Sequence, residues 1–226
     1  MVVASAHWDE DRKRFKVRRP PADRVRSFCI DSGGFVAAQR WGKYPWTVEQ
    51  YVDWIREMTT EVSLDFCAIM DYACERAVNR SVLATNKERI EATIRNEAAC
   101  FEAASDLPWL PVLQGDTLQE RGIGLQLRKR LGMLPQDYAG IGSVCGRGPA
   151  AARRVVKFYA DHLPGVQFHG FGMHVQALDD DLVYAAMRSW DSYTWGWGRG
   201  QDIGTPPREG ETWSELTRRM ARRYLR

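Results

Sequence analysis

The sequence predicts an α/β protein built as a compact or incomplete (β/α)8 barrel of the TIM type. Three observations lead there. Short apolar runs that end in Gly or Asp alternate with amphipathic stretches along the chain. From Asp31 to Asp191 the ends of successive runs are spaced by about 32 residues, one βα unit per step. The first βα turn holds Gly33-Gly34, but neither a GxGxxG nor a P-loop pattern follows. That removes the nucleotide-binding sheets and leaves a barrel as the better account. A full barrel usually needs about 250 residues, and the sequence has 226, hence compact or incomplete.

The apolar runs span 27–35, 65–72, 109–116, 138–146, 165–173 and 189–195. They are short, nearly continuous and bounded by turn residues, as parallel strands buried on both faces are. Helices fill the intervals. Thr47 with Gln50 forms a capping box, followed by an apolar face of Tyr51, Trp54, Ile55, Met58 and Val62. Thr85 and Glu88 open a second helix with Ile90, Ile94, Ala98 and Phe101 on one face. A third, over 117–131, is weakened by Gly122 and Gly124. Pro149 suits the first turn of a fourth. Asp179, Asp180 and Asp181 favour the start of a short helix through 187. Thr212 and Glu215 cap a last one, with arginines opposite Trp213, Leu216, Met220 and Tyr224. The expected layout is a basic segment 1–26, a barrel over 27–210 and a basic helix 211–226 packed on it.

Hydrophobic residues make up 44% and charged residues 27%, which excludes disorder as a whole-chain reading. No run of about 18 apolar residues is present, so no membrane span is expected. The first fifteen residues lack the pattern of a signal peptide, and a cytoplasmic location is the default expectation. Net charge is only +3, but residues 12–19 carry six basic groups and residues 217–226 carry five arginines, with no acid in either. The rest of the chain is therefore acidic. Basic ends around an acidic body point to an anionic polymer as partner. The five cysteines form no CxxC pair, so reduced thiols are expected and no metal or redox motif is readable.

In a barrel, reactive groups sit at the carboxyl ends of the strands. Those positions hold Asp31, Asp71, Gln114, Gly142-Ser143, His169 and Asp191. No Ser or Cys nucleophile with a paired base is among them. Converging carboxylates fit glycosyl transfer, in which one attacks an anomeric carbon and another moves protons. A further carboxylate with an amide fits a base edge, Asp accepting from N–H groups and Gln donating to a carbonyl.

These residues resemble the tRNA-guanine (queuine/archaeosine) transglycosylase superfamily. Asp31-Ser32-Gly33-Gly34-Phe35 resembles its DSGGF signature, Met70-Asp71 its guanine-binding Asp, and Leu113-Gln114-Gly115 its VQG motif. Gly140-Ile141-Gly142-Ser143-Val144 resembles its glycine turn, and His169-Gly170-Phe171-Gly172 stands at its MGVG-like turn. Trp190-Asp191-Ser192 resembles the motif bearing the nucleophile. The resemblance implies that Asp191 attacks C1′ and that Asp31 is general base. It implies that Asp71, Gln114 and the Gly142 amide read the base, and that Ser32, Phe35, Ser143, His169 and Gly170 line the pocket. The residues alone leave open an exchange of roles between Asp31 and Asp191.

The departures are informative. The superfamily's CxCxxC zinc site is absent, since no Cys lies beyond Cys145, and no cofactor is implied. The chain is shorter than tRNA-acting members and lacks their RNA-binding appendage. It therefore resembles the phage branch that exchanges guanine in DNA for a 7-deazaguanine of the 7-cyano type, which implies a host cytoplasm. Trp197 and Arg199 are candidates for stacking on a base, and Arg218, Arg219, Arg222 and Arg223, on one helix face, for phosphate contacts. The alternatives are the same chemistry on tRNA, or a catalytically silent nucleic-acid-binding subunit. Oligomeric state is left open.

Overall fold

The computed structural model describes residues 1–75 and 80–191. The expected last helix, with Trp197, Arg199, Arg218, Arg219, Arg222 and Arg223, lies outside them.

The described residues form a mixed α/β layer of parallel strands and six α-helices. One four-stranded sheet joins β1 (Val2–Val3), β4 (Ser27–Asp31), β5 (Ser63–Ala68) and β6 (Trp109–Leu110). A second joins β7 (Val112–Leu113), β8 (Tyr138–Ile141), β9 (Gln167–Gly170) and β10 (Met187–Trp190). A separate antiparallel pair is made by β2 (Trp8–Asp9) and β3 (Arg14–Phe15).

The two sheets meet at Pro111. Proline has no N–H to give a ladder, so the apolar run 109–116 divides there into two short strands. Its first half pairs with β5 and its second with β8. All the parallel strands thus stand side by side in chain order, with no reversal of the kind that marks a doubly wound sheet. The layer also curls. Phe66 on β5 meets the rings of Tyr138 on β8 and His169 on β9, at 5.8 and 4.9 Å, although β5 pairs with neither strand.

The helices follow from their caps. In α2 (Val48–Met58) and α3 (Asn86–Ala103), the Thr47–Gln50 and Thr85–Glu88 boxes are both closed in each direction. Thr117 and Glu120 close a third, opening α4 (Leu118–Leu131). That helix runs straight through Gly122 and Gly124. A Cβ on Gly124 would come within 3.3 Å of Ile90, so the glycine lets α4 lie close to α3. Pro149 starts α5 (Pro149–His162). The last described helix, α6 (Asp181–Ala186), is capped by Asp180.

Two readings of the sequence need correction. The apolar run 27–35 is not one strand. Gly33 turns the chain at φ 74°, and α1 (Gly34–Trp41) begins at once. The inner face of α3 is also rotated from the expected one. Ala98 and Phe101 are exposed, while Arg89, Thr93, Glu97 and Cys100 are buried beside Ile90 and Ile94. The polar face is tolerated because Glu97 meets Arg128 of α4 at 2.6 Å, and Arg128 also donates to Val112 O.

Residues 1–26 do more than carry charge. Val2–Val3 pairs with Ile30 and Asp31 at the sheet edge. Trp8 and Phe15 pack on Trp46, and Phe15 stacks on Trp54 of α2 at 4.8 Å. All five cysteines are free thiols. Among the described residues, no helix is long and apolar enough to cross a membrane.

Candidate functional site

Each expected strand-end residue up to Asp191 lies at the carboxyl end of its strand. Asp31 closes β4, Asp71 follows β5, Gln114 follows β7, Gly142 and Ser143 follow β8, His169 and Gly170 close β9, and Asp191 follows β10.

Asp71 is the hub of one group. Ser32 Oγ donates to its Oδ1 at 2.8 Å, and Gln114 Nε2 donates to its Oδ2 at 2.5 Å. Ser143 Oγ donates in turn to Gln114 Oε1 at 2.5 Å and accepts from the Cys74 amide at 2.8 Å. Tyr44 braces the other side, donating to Asp71 O at 2.7 Å with its hydroxyl 2.9 Å from Ser32 Oγ. Tyr44 and Trp46 are both buried and brace this side of the site. Ser32, Gln114 and Ser143 are nearly sealed from solvent. Burial pushes the Asp71 carboxyl up, against the pull of its hydrogen bonds to Ser32 and Gln114.

Close packing fixes this group. A Cβ on Gly34 would fall within 2.2 Å of Asp71 O, and one on Gly142 within 2.2 Å of Gln114 Nε2. Gly142 therefore serves by having no side chain. Its amide, expected to read the base, instead donates to Leu113 O at 3.0 Å, because the β7–β8 ladder runs one residue past the strand. Replacing Gly142 by Ala should displace the Gln114 amide and lower any activity that uses it about 10- to 100-fold, with fold stability changed by about 1 kcal/mol. Steady-state kinetics beside a urea melt would check both halves.

Asp31 and Asp191 form the second group. The Gly33 amide donates to Asp31 Oδ1 at 2.8 Å. Burial, with the charges of Asp71 and Asp191 as smaller contributors, pushes the Asp31 carboxyl up to about 7. Asp191 accepts at Oδ1 from the Gly172 amide at 2.8 Å, where Gly172 has φ 62°. His169 is 4% exposed, and its Nε2 lies 3.5 Å from the same Oδ1. Among the described residues, Asp191 Oδ2 has no hydrogen-bond partner. Gly170 accepts from the Asp191 amide at 3.1 Å and so fixes the backbone there. Phe35 sits on α1, 41% exposed. His174 caps a short 3-10 turn through Gln176 N.

Some residues of this end of the layer had no sequence signal. Arg121 of α4 is fully buried, and its guanidinium donates to Gly142 O, Ser143 O and Tyr159 Oη at 3.1–3.3 Å. It thereby holds the turn that follows β8. Arg147 ties Asp116 to Ser143 O. Beside it, burial pushes the Glu75 carboxyl up to about 7, against the pull of Arg147. Among the described residues, no group of three or more His, Cys, Asp or Glu is arranged to hold a metal ion.

A parallel βα layer with carboxylates gathered at its strand ends belongs with enzymes that work at the carboxyl face of a sheet. The family match sharpens that class. The family described as DeoxyPurine in DNA protein A (DpdA) matches residues 6–223, and the chain belongs to it. It is a tRNA-guanine-transglycosylase-like family. No curated protein matches the chain.

Proposed function

We propose that the protein is a DNA-guanine transglycosylase, exchanging guanine in DNA for a 7-deazaguanine base of the 7-cyano type. The observation that carries the reading is that three strand-end carboxylates stand in three different environments. Asp71 is engaged by amide and hydroxyl donors, Asp31 is poised near neutrality, and Asp191 keeps one oxygen without a partner among the described residues. Membership of a family described by deoxypurine in DNA supports DNA as the polymer.

In this reading Asp191 Oδ2 attacks C1′ of the target nucleotide while Oδ1 is held by the Gly172 amide. The C1′–N9 bond breaks, and guanine takes a proton from Asp31. The sugar is left as an ester of Asp191. The incoming deazaguanine gives its ring N–H proton to the Asp31 carboxylate and attacks C1′, which releases Asp191. A carboxyl near pH 7 suits a group that must both give and take a proton. Two inversions retain the configuration at C1′. Asp71 and Gln114 read the base edge, with Ser143 holding the Gln114 amide in its orientation. The target nucleotide leaves its stack to reach them.

The chain-order strands and the contacts of Phe66 across the layer support a TIM-type barrel closed around this site. The basic residues 12–19, with Arg218, Arg219, Arg222 and Arg223, would hold phosphates, and Trp197 and Arg199 would meet the displaced base or its neighbours. A phage origin, and with it a host cytoplasm, belongs to the same proposal.

The test is incorporation of label. Duplex DNA and tRNA are each incubated with the protein and radiolabelled 7-cyano-7-deazaguanine. Label is expected in DNA. Label confined to tRNA would overturn the polymer assignment, and none in either would overturn the exchange reaction.

A further inference from the structure

We propose that His169 is a positioning residue for Asp191, driven from behind by Ser189 and Tyr138. The proposal rests on Asp191 being the nucleophile, as argued above.

The geometry is a chain of four side chains across three strands. Tyr138 Oη of β8 lies 2.7 Å from Ser189 Oγ of β10, and Ser189 Oγ lies 2.6 Å from His169 Nδ1 of β9. The ring then presents Nε2 to Asp191 Oδ1 at 3.5 Å. That nitrogen is buried and, among the described residues, its one polar neighbour is this 3.5 Å approach to Asp191, longer than a formed hydrogen bond. The ring also contacts Phe66, at 4.9 Å, and Phe171, at 4.6 Å, and the short contact of Nδ1 with Ser189 fixes which nitrogen faces Asp191.

Charge selects the tautomer. A bare nitrogen lone pair aimed at a carboxylate oxygen is repelled, whereas an N–H is attracted. Nε2 therefore carries the proton. Nδ1 is then the acceptor and Ser189 the donor, with Ser189 accepting from the Tyr138 hydroxyl. All the O–H and N–H bonds run one way, toward Asp191.

The consequence for the reaction is division of labour within one carboxylate. Gly172 N–H and His169 Nε2–H both address Oδ1, so Oδ2 is turned to the sugar. As the Oδ2–C1′ bond forms and the C1′–N9 bond breaks, Oδ1 becomes the ester carbonyl. When the incoming base breaks the Oδ2–C1′ bond, negative charge returns to the carboxylate, and the same two donors receive it on Oδ1. His169 neither gains nor loses a proton in either half.

Two measurements test this. Asparagine reproduces the Nδ1 side of a histidine and glutamine the Nε2 side. His169→Asn should lower kcat for base exchange about 100-fold with KM for the deazaguanine within twofold, while His169→Gln recovers most of the loss. In the unmodified protein, nitrogen NMR of the ring should find Nε2 protonated and Nδ1 bare, and Ser189→Ala should perturb Nδ1. A kcat for His169→Asn within twofold of the parent, a matching rise in KM, or a ring protonated only at Nδ1 would each overturn the proposal. Adduct mapping separates the two levels of argument. If the parent protein forms its adduct at Asp191 and His169→Asn forms it as fast, this inference alone fails. If the parent forms no adduct at Asp191, the reading of the site fails and takes this inference with it.

Discussion

Asp191→Asn is expected to abolish base exchange, by about 10⁴-fold or more, and to leave no covalent sugar–protein species on a denaturing gel. The fold should survive. The side chain is about a quarter exposed, and the carboxamide oxygen can still accept from the Gly172 amide. A change of about 1 kcal/mol or less in stability is expected. What is lost is the charge on Oδ2, because an amide nitrogen does not attack an acetal carbon.

The same substitution decides a question the sequence leaves open. Asp31 and Asp191 both end strands of the layer, and spacing alone does not say which attacks. Their surroundings differ. Asp31 is held near pH 7 by burial, with Asp71 and Asp191 adding to the push, so at neutral pH a sizeable fraction carries a proton and is a poor nucleophile. Mapping the trapped peptide from the parent protein gives the answer. A sugar on Asp191 agrees with the assignment, and a sugar on Asp31 reverses it.

What could be read from the sequence depended on how far each signal reaches along the chain. Strand ends were legible because Gly and Asp punctuate them within one or two residues. The Thr–Gln and Thr–Glu boxes were legible because both partners lie within one helical turn. The α1 helix was not, because it is one short element entered directly through Gly33, and its apolar residues read as an extension of the strand. The face of α3 was misread for another reason. Periodicity counts apolar residues, and this helix buries an ion pair whose partner, Arg128, is on the next helix.

The site divides along the same line. Its carboxylates were legible because each stands in a short local motif. Ser32 and Gln114, which donate to Asp71, were read with it, but the more distant partners were not. Tyr44 reaches Asp71 from 27 residues away, and Tyr138 reaches Ser189 across 51. Nothing near His169 in sequence indicates that its ring is aimed at Asp191 rather than at a base. The Gly142 amide shows the reverse error. A glycine turn reads as a free backbone donor, but the sheet had already claimed that N–H.

The second large effect concerns stability. Asp31→Asn should make the protein more stable at pH 8 while disabling exchange. The Asp31 carboxyl is raised from its ordinary 3.8 to about 7, with burial the largest cause and the neighbouring Asp71 and Asp191 charges adding to it. In the unfolded chain the group ionises near pH 4. Between about pH 4 and pH 7 the folded state therefore holds a proton that the unfolded state has lost, and stability falls as pH rises through that window. Above pH 7 the cost is constant. Taken in full, the shift would be worth about 4 kcal/mol, but the carboxyl is part-exposed at the open end of the layer, and about 2 kcal/mol is the better expectation. Asparagine is neutral at every pH and escapes this cost, while its oxygen keeps the Gly33 amide bond. Urea unfolding of both proteins at pH 4.5 and pH 8 provides the check. The variant's advantage should be small at the lower pH and reach about 2 kcal/mol at the higher one. An advantage that is absent at pH 8, or that does not grow with pH, would mean that Asp31 is not held protonated by the fold. Asp71 and Glu75 are raised as well, and their burial lowers stability over the same direction of pH in both proteins, so only the difference between the two isolates Asp31. That difference is the stability the fold gives up to keep at its strand ends a carboxyl that holds or releases a proton near neutral pH.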